Sequence, residues 1–158
     1  MGATSIGFDS LVEIERVWIM VTLNPYLNFP GNAKEALEFY HSVFGGELTT
    51  STFAEYGQAD DPADADKIMH GQLEGDGGVV LMGADTPSSM GAPGTGGPIS
   101  VSLSGGRGDD AVLRGYWEKL LASGTQIVPL EVAPWGDAFG MCIDGYGVTW
   151  LVNISANA

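Results

Sequence analysis

The most constraining feature of this sequence is a pattern of secondary structure that occurs twice. Two segments place apolar residues on one helical face and end in glycine, 32–46 and 109–124. Eight segments have the alternation or short apolar run of a strand, one before and three after each helix: 20–29, 47–56, 67–76, 78–85, 97–105, 125–133, 138–144 and 147–155. The order βαβββ therefore repeats at a spacing of about 75 residues and predicts an α+β fold of two modules.

These modules set the domain boundaries. We assign 20–85 to the first module and 97–156 to the second. The segment 86–96 between them is rich in glycine and proline, which is typical of a linker. Residues 1–19 have a mixed pattern that joins neither module, so we expect a poorly ordered extension. Asn32 precedes the first helix and is expected to cap it.

Composition and charge exclude several classes of protein. The 158 residues are 44% hydrophobic, which is enough for a packed core. A net charge of −14 argues against nucleic-acid binding, because phosphates would be repelled. No apolar run is long enough to span a membrane, so no membrane partner is expected. The single cysteine, Cys142, allows no internal disulfide and fits a buried residue in a cytoplasmic protein.

Alternation along the strands separates an apolar face from a polar one. The apolar face is expected to pack against the helices. The polar face carries mostly small or neutral side chains: Asn24, Tyr26, Asn28, His70, Gln72, Glu74, Ser100, Ser102 and Ser104. Because serine, asparagine and histidine prevail over lysine and glutamate, we interpret the polar faces as the lining of a cavity. A surface in bulk solvent is the alternative.

Four motifs carry a resemblance to a known family: PYLNFPGNAKEALEFYHSVFGGEL (25–48), MHGQLE (69–74), PWGDAFG (134–140) and DGYGVTWLVN (144–153). Together they resemble the vicinal oxygen chelate superfamily of glyoxalase, bleomycin-resistance and extradiol-dioxygenase relatives. The resemblance is closer to its PhnB-like branch, often labelled 3-demethylubiquinone methyltransferase-like. It implies that the two modules form a cupped mixed sheet around a cleft. It also implies a homodimer in which modules of two chains complete each other's sheets.

The superfamily usually holds a metal ion on the concave face of this sheet. When its ligand positions are carried onto this sequence, they fall on or near these residues: Asn24, Leu81 or Met82, Ile99 or Ser100, and Leu151. Leucine, methionine and isoleucine offer no suitable oxygen or nitrogen, and asparagine and serine are weak neutral donors. We therefore predict no metal at the usual site and no other cofactor. The alternative is a divalent metal held by His70, Glu74 and Asp137.

His70 and Asp137 are the candidate catalytic residues. An imidazole titrates near neutral pH, so His70 can serve as a general base or as a hydrogen-bond partner of a substrate. The alternative is a structural histidine. Asp137 follows Gly136 in a turn that flanks the cleft in the resembled family, where it can orient His70 or simply form an Asx turn. The candidate ligand-binding residues line the polar faces or this turn: Asn24, Tyr26, Gln72, Ser100, Ser102, Trp135 and Asn153.

The sequence thus predicts a PhnB-like protein that binds a small molecule in the cleft without the usual metal ligands. One alternative is a divalent-metal-dependent lyase, isomerase or dioxygenase with a rearranged ligand set. Another is a dimeric scaffold without a ligand. Neither a P-loop nor a glycine-rich loop between a strand and a helix is present in the sequence, so a nucleotide site and a methyltransferase activity gain no support.

Overall fold

The computed structural model describes residues 22–90 and 99–157. The predicted extension at 1–19 lies outside these ranges, as does 91–96 of the predicted linker. Within the described residues the chain forms two α-helices and eight strands in the predicted order. None of the described helices is both long and apolar enough to cross a lipid bilayer.

The first module contains five main elements: β1 (Tyr26–Phe29), α1 (Ala33–Phe44), β2 (Glu47–Thr52), β3 (Ile68–Glu74) and β4 (Val80–Asp85). The second module repeats them: β5 (Val101–Gly105), α2 (Asp110–Leu121), β6 (Thr125–Val132), β7 (Ala138–Ile143) and β8 (Thr149–Ile154). The predicted α+β class with two βαβββ modules is therefore confirmed.

Each module builds its own four-stranded mixed sheet. The strand orders are β1-β4-β3-β2 and β5-β8-β7-β6. The first strand of each module pairs in parallel with the last, and the remaining pairs are antiparallel. Parallel pairing requires a crossover, and the helix of each module supplies it.

Helix α1 covers one face of the first sheet with the side chains that the helical spacing predicted. The six buried residues of α1 are Ala33, Ala36, Leu37, Tyr40, Val43 and Phe44. The space for α1 comes partly from Gly71 of β3, because a Cβ built there would clash with Leu37. In α2, the helical spacing predicts that Val112, Leu113, Trp117 and Leu120 share the apolar face. Leu113, Trp117 and Leu120 are buried, whereas Val112 is 53% exposed.

The prediction that Asn32 caps α1 is wrong. Its side chain makes no capping hydrogen bond. Instead, the backbone N–H of Ala33 donates to Asp85 Oδ1 at 2.9 Å, and the N–H of Ile68 donates to Asp85 Oδ2 at 2.9 Å. A buried carboxylate from the end of β4 therefore binds the start of α1 and the start of β3 together, where the helix dipole favours negative charge.

The two modules share one core, which forms between their helix-bearing faces. The rings of Tyr40 and Phe44 on α1 lie 5.8 and 5.6 Å from the ring of Trp150 on β8. The ring of Tyr116 on α2 packs edge-on against the ring of Phe44, with 4.9 Å between the ring centroids. Trp150 of module 2 therefore packs against a helix of the other module.

Candidate functional site

The helix-free face of the first sheet, which we call the open face of module 1, bears a polar groove. Its volume is about 430 Å³, and its lining comes from β2, β3 and the turn after β2: Glu47, Thr49, Thr50, Ser51, Glu55, Tyr56, His70, Gln72 and Glu74. Strand register places Ser51 beside His70 and Thr49 beside Gln72. The face therefore offers several hydrogen-bonding groups over a short span.

His70 is paired with a tyrosine on this face. Tyr26 Oη lies 3.0 Å from His70 Nδ1, and the two rings are tilted with centroids 5.7 Å apart. Burial raises the pKa of the Tyr26 phenol, so it stays protonated at neutral pH. Both residues were predicted as site residues, and the structure brings them together. Such a pair can hold an imidazole in one orientation toward a bound molecule.

The other predicted residues of module 1 lie on the same face or next to it. Gln72 lines the groove, and its amide donates to Glu74 Oε1 at 3.0 Å. Asn24 precedes β1 and donates to Thr22 Oγ1 at 3.2 Å. Asn24 does not line the groove.

The corresponding open face of module 2 is more apolar. Register aligns Leu151 of β8 with Met141 of β7 and with Ser102 of β5. Trp135 is 65% exposed, and its ring centroid lies 6.0 Å from that of Phe139. Ser100 lies just before β5 and is exposed, like Ser102. This face presents an aromatic and aliphatic surface that no helix of the described chain covers.

Asp137 belongs to module 2 and is engaged there. Its Oδ2 accepts a hydrogen bond from Asn153 Nδ2 at 3.2 Å, and its Oδ1 accepts one from the N–H of Ala156 at 3.1 Å. Gly136 before it has a φ of 101°, as the predicted turn requires. The structure therefore does not bring Asp137 and His70 together within one chain. Asp137 instead holds the end of β8 against the start of β7.

The predicted metal positions carry no ligand set. Met82 and Leu151 lie on the open faces, and Leu81 is buried on the opposite face. Across the described residues no group of three histidine, cysteine, aspartate or glutamate side chains is arranged to hold a metal ion. The rearranged set of His70, Glu74 and Asp137 is divided between the two modules in a single chain.

The predicted site did not include β2, although β2 contributes to the groove. Glu47, Thr49 and Ser51 have the period of two that marks one strand face, and this signal was present in the segment 47–56. The contact between Tyr26 and His70 had no comparable signal, because it joins two strands that are 44 residues apart in sequence.

The DGYG motif proves to be structural. Asp144 is 3% exposed and its carboxylate accepts four hydrogen bonds. The backbone N–H groups of Tyr146 and Val148 donate to Oδ1 at 2.8 and 3.0 Å. Tyr40 Oη and Trp150 Nε1 donate to Oδ2 at 2.6 and 2.9 Å. Burial, followed by the Asp144 charge, raises the pKa of Tyr40, so its hydroxyl stays a donor. The motif ties the last turn of module 2 to α1 of module 1.

Comparison with solved structures places this architecture in the glyoxalase/bleomycin-resistance fold. A member of the glyoxalase/bleomycin resistance protein/dioxygenase superfamily from Sphaerobacter thermophilus matches with a TM-score of 0.51 over 87% of this chain and 100% of its own, at 19% identity. Protein PA1353 from Pseudomonas aeruginosa matches with a TM-score of 0.66 at 33% identity, covering 87% of this chain and 99% of its own. The PhnB protein of Bacillus cereus matches with a TM-score of 0.67 at 24% identity, covering 85% and 100%.

The family follows from the sequence match. Residues 21–153 match the family model described as 3-demethylubiquinone-9 3-methyltransferase. The chain therefore belongs to this family, and its fold is that of the glyoxalase/bleomycin-resistance proteins. The resemblance seen in the four motifs is thereby confirmed.

Proposed function

We propose that this protein binds a small molecule in a cleft formed when the open face of module 2 from a second copy covers the groove of module 1. The observation that carries the proposal is the contrast between the two faces. One is a polar groove around His70, and the other is an apolar surface around Trp135. Ligand sites typically combine apolar walls with a few polar groups that fix orientation.

The dimensions of the groove support a small ligand. Its volume of about 430 Å³ falls within the ~300–1,000 Å³ typical of small-molecule sites. His70 and Gln72 supply groups that can form directed hydrogen bonds. The indole of Trp135 supplies a flat surface on which a planar ligand can stack.

A second copy is needed because residues 22–90 and 99–157 of one chain leave the groove uncovered. The groove is lined by first-module residues alone, and the contacts between the modules of one chain involve their helix-bearing faces. In a two-fold dimer the contact is reciprocal, so two identical clefts form at once. Homodimers that combine modules of two chains are what the family resemblance implies.

We further propose that binding requires no metal or other cofactor and takes place in the cytoplasm. The four positions that would hold a metal in related proteins carry no strong ligand here. The lone Cys142 is fully buried, which suits a protein without disulfides in a reducing compartment.

The proposal is tested by a thermal-shift screen against a panel of uncharged and charged metabolites. A ligand that binds the native state raises the melting temperature in proportion to the logarithm of its concentration above Kd. We expect at least one stabilising ligand whose effect is lost in His70→Ala and in Trp135→Ala. His41→Ala, which removes the other histidine from the far side of the module, should retain it.

Mixing the two variants decides where the cleft lies. When His70→Ala and Trp135→Ala chains are combined and allowed to exchange subunits, each mixed dimer contains one cleft with both changes and one with neither. Ligand binding should therefore return in the mixture to about half of one site per chain pair. If binding does not return, the cleft lies within one chain and the proposal is wrong.

The same preparations separate binding from metal-dependent catalysis. Elemental analysis of protein purified without chelator is expected to show no stoichiometric divalent metal. Tight stoichiometric metal that disappears in His70→Ala would instead support a lyase, isomerase or dioxygenase that uses a rearranged ligand set.

A further inference from the structure

The pairing of Tyr26 with His70 determines which hydrogen-bonding group the groove presents. Tyr26 lies on β1 and His70 on β3, and β4 runs between them. The phenol reaches across this strand to Nδ1 at 3.0 Å, while the imidazole ring lines the groove. Within the described chain this is the one side-chain hydrogen bond of the ring. Nε2 is therefore the nitrogen left for a ligand.

The direction of this hydrogen bond follows from the chemistry of its two groups. A neutral imidazole has one N–H donor and one basic nitrogen that accepts. A phenol hydroxyl is a good donor, whereas its oxygen is a poor acceptor because its lone pair is delocalised into the ring. The stronger arrangement has Tyr26 Oη donating to Nδ1. The hydrogen bond at one ring nitrogen then fixes which nitrogen carries the proton.

We infer that Tyr26 is a positioning residue that holds neutral His70 in the tautomer with its proton on Nε2, so that the groove offers an N–H donor to an uncharged acceptor of the ligand. The inference rests on the proposed binding function and narrows its ligand class. Suitable acceptors are an amide or ketone carbonyl, or a ring nitrogen of a heteroaromatic compound.

The surrounding charges disfavour an anionic acceptor. Glu47, Glu55 and Glu74 line the same groove, and the chain as a whole carries a net charge of −14. A carboxylate or phosphate that entered the groove would meet three like charges, which raise its free energy relative to that of an uncharged group. An uncharged carbonyl accepts the same hydrogen bond without this repulsion.

The tautomer is measured directly by long-range proton–nitrogen correlation spectra of the histidine rings at pH about 8.5, above the ordinary histidine pKa. We expect His70 to show a single tautomer, with a protonated Nε2 and a hydrogen-bonded Nδ1. In Tyr26→Phe the two tautomers should interconvert as they do for free histidine in water. Tyr116→Phe, which removes a hydroxyl far from the groove, should leave the His70 spectrum unchanged.

His41 serves as an internal reference, and His41→Gln assigns the two rings. Circular dichroism establishes that Tyr26→Phe is folded, which is expected because Tyr26 is 45% exposed. A proton on Nδ1 of His70 in the wild-type protein would overturn the inference. So would a His70 spectrum that does not change in folded Tyr26→Phe.

Matched probes test the ligand class on the same spectra. Acetamide and nicotinamide are compared with acetate and nicotinate at equal concentrations. The uncharged probes should shift the His70 resonances and bind about tenfold more tightly than their anions, because only the anions are repelled by the three glutamates. Equal or larger shifts with the anions, or no shift with either amide, would contradict the ligand class.

These outcomes are separable from the proposed function. The tautomer is read without any ligand, so it can be correct when the metabolite screen fails. Conversely, ligand binding that returns in the mixed dimer would support the cleft between two chains. If His70 in the same protein populated both tautomers, the role of Tyr26 would be rejected while the cleft would stand.

Discussion

At the scale of single residues, the buried carboxylate of Asp144 is the group that depends most on its hydrogen-bond partners. In Asp144→Ala its four donors, including Tyr40 Oη and Trp150 Nε1, lose their partner. A buried donor without a partner costs about 1–3 kcal/mol, so we expect the free energy of unfolding to fall by about 3 kcal/mol or more. Urea denaturation measures this. Asp60→Ala, on the exposed loop, should change it by less than about 0.5 kcal/mol.

If Asp144→Ala were as stable as Asp60→Ala, the motif would not be the tie between modules that its hydrogen bonds indicate. The sequence showed that DGYG belongs to the family pattern but not why. One of the four donors to its aspartate is a tyrosine 104 residues earlier in the chain, and no local spacing encodes that contact.

Cys142 gives a second prediction at this scale. Burial, followed by the nearby charge of Asp144, raises the pKa of its thiol to about 11. At pH 8 the fraction of Cys142 in the reactive thiolate form is then roughly 100-fold lower than that of an ordinary thiol. Alkylation by iodoacetamide should therefore be at least that much slower in the native protein than in guanidinium. Because the sequence has one cysteine, the rate reports this site alone. Similar rates in both states would mean that β7 opens readily.

At the scale of elements, the start of α1 depends on a strand rather than on its own cap. Asp85→Ala removes the acceptor of two backbone N–H groups, those of Ala33 and Ile68. The loss should be about 2–3 kcal/mol of unfolding free energy. Asn32→Ala, at the position where a cap is expected from sequence, should cost less than about 0.5 kcal/mol. If chemical denaturation showed a larger loss of unfolding free energy for Asn32→Ala than for Asp85→Ala, the structure would be contradicted.

The helices and strands themselves were largely predictable, because apolar residues recur in each with the period of a helix or of a strand. Helix and strand positions agree with the alternation of apolar residues, and the deviations are at the ends. Strand β2 stops at Thr52 instead of residue 56, since Thr52 and Glu55 cap each other reciprocally and begin a short 3₁₀ turn. The pattern Thr-x-x-Glu was visible in the sequence. The cap from Asp85 was not, because it is 52 residues away.

At the scale of the whole molecule, the proposed dimer forms through an apolar face that the described part of one chain leaves exposed. Leu151→Asp places a charge at the centre of the open face of module 2, and should weaken a dimer formed through this face by at least about tenfold. Sedimentation equilibrium measures the dissociation constant. Ala111→Asp adds the same charge at the exposed start of α2 and should leave it unchanged. If both variants dimerise like the wild type, this face is not the interface.

The arrangement of modules was the part that the sequence could not predict. Alternation assigned Tyr26, His70 and Ser102 correctly to polar strand faces. It also suggested that the polar faces of both modules line one cavity, but among the residues that the structure describes the groove is lined by module 1 alone. Which face meets which is decided by contacts such as those of Phe44 with Tyr116 and Trp150, which lie in different modules. Contacts between side chains of different modules produce no periodic pattern in the sequence from which they could be predicted.

The most direct test of the central claim is an isotope-filtered nuclear Overhauser experiment on a mixture of labelled and unlabelled chains. It detects only contacts between different copies. If the open face of module 2 covers the groove, cross-peaks should join ring or side-chain protons of His70 and Gln72 in one copy to methyl protons of Met141 and Leu151 in the other. A monomer, or intermolecular cross-peaks confined to other surfaces, would contradict it.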